Sequence, residues 1–166
     1  MSPRSSQPTR SRGLFAAALF AAGLLLLALP RPAAACSCVP PPPPAEALES
    51  ASAVFSAKVV SVEERFRESD YGRIPQRRVV LELDRVWKGC EAAEGEERPR
   101  RVELVTGSGG GDCGYGFEED GRYLVYAGQR GDGVLTTGIC TRTAKLESAG
   151  DDVAALGEPA WVAEGE

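Results

Sequence analysis

Five cysteines are the residues of this chain best suited to covalent or metal chemistry: Cys36, Cys38, Cys90, Cys113 and Cys140. Thiols form disulfides, bind zinc or act as nucleophiles. The number is odd, so one cysteine must stay unpaired or bond another chain. The spacings contain no Cys-x-x-Cys pair, which is the usual signature of a cysteine zinc site. Disulfides are therefore the favoured interpretation.

The chain of 166 residues contains no histidine. It therefore cannot build a Ser-His-Asp or Cys-His relay, a His general base or a zinc site with imidazole ligands. Cys90 is the only candidate nucleophile, and although Lys88 lies two residues before it, no His can activate it. We predict that the protein is not an enzyme.

The spacing of the cysteines limits how they can pair. Cys36 and Cys38 are too close in sequence to bridge each other without strain. Each must then find a different partner among the three distant cysteines, and several connectivities stay open. Every one of them ties the region around Cys36 to the middle or the end of the chain. A bridge that closes a loop of about 80 to 100 residues stabilises the fold by about 4 to 5 kcal/mol in the chain-entropy model.

The N-terminal region has the three parts of a secretory signal peptide. Arginines come first, an unbroken apolar run covers Leu14–Leu29, and three alanines directly precede Cys36. Cleavage there gives a signal peptide of residues 1–35 and a mature chain that is secreted or extracytoplasmic, in the periplasm or at the cell surface, where disulfides persist. A membrane anchor is the alternative, but the run is shorter than the roughly 20 residues of a membrane span.

Small residues before a cysteine also resemble the site at which bacterial lipoproteins are cut and acylated. Such sites usually carry Leu three residues before the cysteine, where this chain has Ala33. In addition, Pro30-Arg31-Pro32 interrupts the apolar run before it reaches the site. Lipidation at Cys36 stays open as an alternative, and the chain would bind a membrane only in that case.

The charge of the chain argues against two classes of partner. Four of the 19 basic residues and none of the 24 acidic residues lie in the first 35 positions. The remainder therefore carries a formal net charge of about −9, a field that repels nucleic acid and anionic lipid. We expect no nucleic-acid partner.

Five segments have the residue pattern of half-buried strands. They are residues 53–62, 77–87, 101–106, 121–127 and 134–141. The polar residues 63–76 indicate either a loop or a bent extension of the first strand. The turns at Asp120-Gly121 and Asp132-Gly133 predict antiparallel hairpins.

We therefore predict a mainly β fold: a five-stranded Greek-key barrel of the oligonucleotide/oligosaccharide-binding (OB) type with one or two short flanking helices. The helices are residues 45–50 and a C-terminal helix within 145–156. The domain covers residues 36–157, and 158–166 form a short C-terminal tail. The five consecutive prolines Pro40–Pro44 form a stiff, extended segment that cannot join a central strand.

Three sequence features together resemble a known family. The mature N-terminus reads Cys36-Ser37-Cys38-Val39-Pro40-Pro41, the first strand contains Ala57-Lys58-Val59, and Cys113-Gly114-Tyr115 is followed by Cys140. This pattern resembles the N-terminal, netrin-like domain of the tissue inhibitors of metalloproteinases, over Cys36 to about residue 156. The chain departs from the animal members: it lacks their third bridge and their second disulfide-rich domain. It resembles a single-domain, bacterial-type version.

The resemblance implies a pairing and an activity. The disulfides would be Cys36–Cys113 and Cys38–Cys140, which leaves Cys90 unpaired or in a disulfide dimer. The implied activity is inhibition of a zinc metalloendopeptidase, whose catalytic zinc would be chelated by the α-amino nitrogen and carbonyl oxygen of Cys36. The inhibitor itself would need no cofactor.

The resemblance also implies a set of protease contacts. Ser37 would point into the specificity pocket beside the zinc, and Cys38, Val39 and Pro40 would fill the adjoining cleft. The strand segment Asp112–Tyr115, tied beside Cys36 by the implied bridge, would form the neighbouring part of the contact surface, with Cys113, Gly114 and Tyr115 as its contact residues.

A second function is compatible with the same fold, because netrin-like domains occur in many proteins that inhibit nothing. The alternative is an extracytoplasmic netrin-like binding or structural module without inhibitory activity, in one version a lipoprotein acylated at Cys36. Acylation of the amine and the thiol would remove both the zinc ligand and one disulfide.

Overall fold

The computed structural model describes residues 36–70, 72–92, 96–109 and 111–163. The predicted signal peptide, residues 1–35, lies outside them. Seven strands, two α-helices and one 3₁₀ turn occur within the described residues, and the prediction of a mainly β fold with short helices is confirmed. In chain order they are α1 (Pro44–Ser50), β1 (Ala53–Ser69), β2 (Gly72–Lys88), β3 (Arg101–Gly107), β4 (Arg122–Gln129), β5 (Leu135–Thr136), β6 (Ala144–Lys145), the 3₁₀ turn (Leu146–Ser148), α2 (Gly150–Leu156) and β7 (Trp161–Val162).

Five of the strands form a ring. The order is β1-β2-β3-β5-β4, and β4 pairs with β1 to close it. β3 and β5 are parallel, whereas the other neighbours in the ring are antiparallel. This order is consistent with the predicted OB fold. β6 adds to β4 and β7 adds to β2.

The inside of the ring is filled by apolar side chains. Phe55, Ala57 and Val59 of β1 point inward, as the alternation of the sequence predicts, and all three are fully buried. The pairing register slips between Val59 and Ser61, which is a β-bulge. One extra residue reverses the alternation, so Val62 also packs against the inner cluster although the simple pattern places it on the other face.

A second apolar cluster lies between the outer face of the ring and the helices. Val54, Trp87, Leu124 and Tyr126 of the strands pack there against Ala47 of α1, together with Ala149. Partly buried side chains complete it: Leu48, Ala51, Ala144, Leu146, Val153 and Leu156. The predicted apolar face of the C-terminal segment is therefore present.

The C-terminal helix is shorter than predicted. The helix α2 lies within the predicted range 145–156 but covers only its last seven residues, because the first five form the end of β6, the 3₁₀ turn and the residue before α2. Gly150 begins α2 rather than interrupting a longer helix. The cause is local: Lys145 pairs with Tyr123 of β4, so the chain is still extended at that point.

The polar residues 63–76 extend β1 and β2 into a long hairpin, which is the second of the two predicted alternatives. Its register is continuous from Val62 opposite Val79 to Ser69 opposite Gly72. Near the tip, the Arg73 guanidinium lies 4.4 Å from the centre of the half-exposed Phe66 ring. This cation–π contact shields one face of the ring from water.

Two further predictions need correction. The predicted strand 134–141 is reduced to Leu135–Thr136, and the chain then leaves the sheet. The turn at Asp132-Gly133 does join the antiparallel β4 and β5, as predicted. The turn at Asp120-Gly121 joins no hairpin, because its backbone bonds Val59 of β1.

The predicted C-terminal tail contributes to the sheet. Trp161 pairs with Val86 of β2, and its ring packs against the inner cluster. The Arg98 guanidinium lies 5.6 Å from the Trp161 ring, and the Ala163 amide donates a hydrogen bond to the Asp84 carbonyl. These contacts attach the end of the chain to the long strand β2.

Candidate functional site

The first described residues, 36–43, form an extended strip without regular secondary structure, called here the N-terminal strip. Ser37 and residues 39–43 are exposed, and Val39 exposes 83% of its surface. Prolines have no N–H group, so Pro40–Pro44 cannot add to a strand ladder. The strip therefore lies on the surface with its apolar side chains open to solvent.

Two disulfides attach this strip to the body of the domain. Cys36 bonds Cys113, with a Cα–Cα distance of 5.5 Å, and Cys38 bonds Cys140, with a Cα–Cα distance of 5.1 Å. This is the pairing that the resemblance implies. The sulfur atoms of Cys36, Cys113 and Cys140 all lie within 4.8 Å of one another. Because all three are in disulfides, they offer no thiolate to a metal ion.

The loop that carries Cys113 is organised by one carboxylate. Asp112 accepts hydrogen bonds from the backbone amides of Ser108 (2.7 Å), Gly109 (2.9 Å) and Gly114 (3.1 Å). Desolvation acts to raise the pKa of Asp112, but these amides stabilise the charged form and hold the pKa below its usual value. The carboxylate is therefore ionised at neutral pH and holds the loop on both sides of Cys113.

Two glycines allow the backbones around Cys113 to approach closely. A Cβ atom on Gly114 would lie 2.1 Å from the Gly107 carbonyl oxygen, and one on Gly138 would lie 2.5 Å from the Cys113 carbonyl oxygen. That carbonyl also accepts a hydrogen bond from the Ile139 amide at 2.9 Å. Sequence reasoning missed Gly138, which carries no signal until the two loops are seen side by side.

Tyr115 lies at the inner edge of this loop. Its ring packs 4.9 Å from the Phe117 ring and 5.8 Å from the Tyr123 ring, measured between centroids. Burial is the main reason that the pKa of its hydroxyl is raised. The ring thus packs against the core, while the residue as a whole is only partly buried.

The structure brings most of the predicted site residues together. The disulfides hold Cys36 beside Cys113 and Cys38 beside Cys140, so the N-terminal strip is attached to the loop that carries Cys113 and Gly114. A family model described as tissue inhibitor of metalloproteinase matches residues 34–150, which include all four disulfide cysteines.

The chain belongs to the tissue inhibitor of metalloproteinase family. Members of this family are inhibitors rather than enzymes, and metalloproteinases are their partners. The family is extracellular, and two disulfides fit an extracytoplasmic location. A search of curated proteins finds no match to the chain. None of the helices in the described ranges is long and apolar enough to cross a membrane.

Cys90 is the free cysteine of the described chain, just after β2. Its side chain packs partly against the inner cluster. Burial, with a smaller contribution from Glu91, raises its pKa to about 11. A thiol in this setting is protonated at neutral pH and is a poor nucleophile.

We predict that Cys90 reacts with iodoacetamide at pH 8 at least about tenfold more slowly in the folded protein than in guanidinium chloride, since only the thiolate reacts. Mass spectrometry over time measures both rates, and the unfolded, unreduced protein should take up one label as the control. Equal rates in the two conditions would contradict the burial of the thiol. The same burial opposes a disulfide dimer through Cys90.

Proposed function

We propose that the mature chain inhibits a zinc metalloendopeptidase through the free N-terminus of Cys36. The observation that carries the proposal is the exposed N-terminal strip, bonded at Cys36 and Cys38 to neighbouring loops in a member of this family. A catalytic zinc has three protein ligands and one open position. The α-amino nitrogen and the carbonyl oxygen of Cys36 can bind the zinc together, which makes it five-coordinate, and displace the attacking water.

The chemistry of the amine suits this role. An α-amino group has a pKa of about 7.7 to 8.0, so it loses its proton to a metal ion at modest cost near neutral pH. The group exists only after cleavage between Ala35 and Cys36, because the nitrogen of Cys36 is otherwise an amide. Removal of the predicted signal peptide would therefore activate the inhibitor.

The contact surface follows from the strip. Ser37, exposed between the two bridged cysteines, would enter the specificity pocket next to the zinc. Cys38, Val39 and Pro40 would lie along the cleft. On the other side of the Cys36 bridge, the surface would continue through Cys113, Gly114 and Tyr115.

Rigidity supports tight binding. Two disulfides and consecutive prolines restrict the strip before the protease arrives, so little conformational entropy is lost on association. The Asp112 contacts restrict the neighbouring loop in the same way. The alternative of a lipoprotein is disfavoured, because acylation of the Cys36 sulfur would break its bond to Cys113.

The experiment begins with the chain exported from a bacterial host. We expect an intact mass equal to residues 36–166 less four hydrogens, with one alkylatable thiol. This protein should inhibit at least one enzyme in a panel of zinc metalloendopeptidases, in competition with a small hydroxamate that binds the zinc. It should leave a serine endopeptidase unaffected. A mass increased by acyl chains, or an apparent inhibition constant that the hydroxamate does not raise, would contradict the proposal.

A further inference from the structure

Arg142 connects three separate parts of the molecule. Its Nε and Nη2 atoms donate to the two carboxylate oxygens of Asp152 on α2, at 2.7 and 2.5 Å. Its Nη1 atom donates to the carbonyl oxygen of Pro42 in the N-terminal strip, at 3.0 Å. The Tyr126 hydroxyl of β4 donates to the same Asp152 carboxylate at 3.3 Å.

This network is sheltered and oriented. The side chains of Arg142 and Asp152 expose 23% and 14% of their surface. A two-pronged arginine–carboxylate pair fixes the plane of the guanidinium, which then has a donor left over for a third group. Here the third group is the backbone carbonyl of Pro42, so this hydrogen bond fixes the position of the main chain rather than of one side chain.

The strip has few other ties. Among the described residues, the Arg142 contact is the one hydrogen bond that reaches the backbone of residues 36–42. The disulfide Cys38–Cys140 holds the same segment. Cys140 lies two residues before Arg142, and Cys38 lies four residues before Pro42. The three residues between these two ties, 39–41, are all exposed.

We infer that Arg142 is a positioning residue for inhibition: it holds the N-terminal strip at Pro42 and so fixes the direction in which Val39 and Pro40 meet the protease. The inference rests on the proposed function. Without the Arg142 contact, the chain beyond Cys38 would next be fixed at the start of α1, where Ala47 packs against the sheet. With Pro42 also held, the exposed residues 39–41 lie between two closer fixed points.

The test compares two arginines that each bond an aspartate. Arg142→Met removes the tie to Pro42, and Arg122→Met is the matched control, because Arg122 bonds Asp84 at 2.8 Å and makes no contact with the strip in the described chain. Both variants are first checked for two disulfides by mass. If Arg142→Met does not fold, Asp152→Asn, which keeps the arginine but weakens its orientation, replaces it.

Two measurements separate positioning from inhibition. The ¹⁵N order parameter of the Val39 amide measures the rigidity of the strip in the absence of protease. We expect a value of about 0.85 in the wild type and below about 0.6 in Arg142→Met. Arg122→Met should keep the wild-type value. The inhibition constant should rise about tenfold in Arg142→Met, since a disordered strip adds an entropy cost to binding, and it should stay unchanged in Arg122→Met.

Each outcome has one meaning. An unchanged Val39 order parameter in Arg142→Met would overturn the inference, whatever happens to inhibition. A lower order parameter with an unchanged inhibition constant would overturn the role of Arg142 in inhibition. Loss of order in Arg142→Met, with a wild type that inhibits no metalloendopeptidase, would support positioning of the strip and contradict the proposed function instead.

Discussion

One alanine placed before Cys36 in the mature chain is expected to weaken inhibition by at least about a hundredfold. The added residue converts the α-amino nitrogen of Cys36 into an amide, which is a poor zinc ligand, and moves the new amine away from the metal. A hundredfold loss corresponds to about 2.7 kcal/mol of binding free energy. The variant is made by cleaving a fusion directly before the added alanine, and its inhibition constant is compared with that of the unextended chain.

The control adds one alanine after Glu166, at the other end of the chain. It changes the length and mass of the chain by the same amount and leaves the α-amino group of Cys36 free. Both disulfides should form in the two extended proteins, because the bridges lie within residues 36–140. Full potency of the N-terminally extended protein would rule out zinc binding by Cys36.

The substitution Gly114→Ala is expected to disrupt the loop beside Cys36. The added Cβ would lie 2.1 Å from the Gly107 carbonyl oxygen, so the two backbone segments must separate by about 1 Å or more. Overpacking of this kind costs about 1 to 3 kcal/mol of folding free energy. It also shifts Cys113 and the Cys36 bonded to it, and we expect inhibition to fall by about a hundredfold, the order of effect that a 1 Å displacement has at a reacting centre.

Gly116→Ala provides the matched control two residues away. A Cβ atom on Gly116 meets nothing within 4 Å, so the same chemical change should leave both stability and inhibition near wild-type values. Thermal unfolding and the inhibition constant measure the two effects. Equal inhibition by the two variants would show that the geometry of this loop does not matter for binding.

The strands of the ring were predictable because their inward residues are apolar and alternate over long stretches. Phe55, Ala57 and Val59 carried that signal clearly, and the structure confirms it. The β-bulge at Val60 gave no such signal in the sequence, because a bulge is set by how two strands pair. The sequence of one strand therefore does not reveal that Val62 also faces inward.

The ends of elements were less predictable for a similar reason. Thr137 leaves the sheet soon after β5 begins, and its hydroxyl bonds the Tyr126 carbonyl and the Thr143 hydroxyl. Such contacts exist only once β4 and the following loop are packed together. The strand at Trp161 was missed because two residues are too few for a periodic pattern.

Some residues of the candidate site were also predictable from the sequence, and others were not. The cysteines and prolines of the strip were visible in the sequence, since their chemistry is local and their spacing is distinctive. Gly138 and Arg142 act through backbone groups that lie far away along the chain, 100 residues away for Pro42. No pattern within one segment indicates such a contact, so these supporting residues had to come from the structure.

The most direct test is a crystal structure of the mature protein bound to a zinc metalloendopeptidase that it inhibits. We expect the Cys36 nitrogen to lie about 2.0 to 2.1 Å from the zinc, as a protein nitrogen ligand does. The Cys36 carbonyl oxygen should lie beside it on the zinc, the three protease ligands should be retained, and Ser37 should occupy the adjoining pocket. A complex in which the zinc keeps its water, with Cys36 away from the metal, would contradict the account.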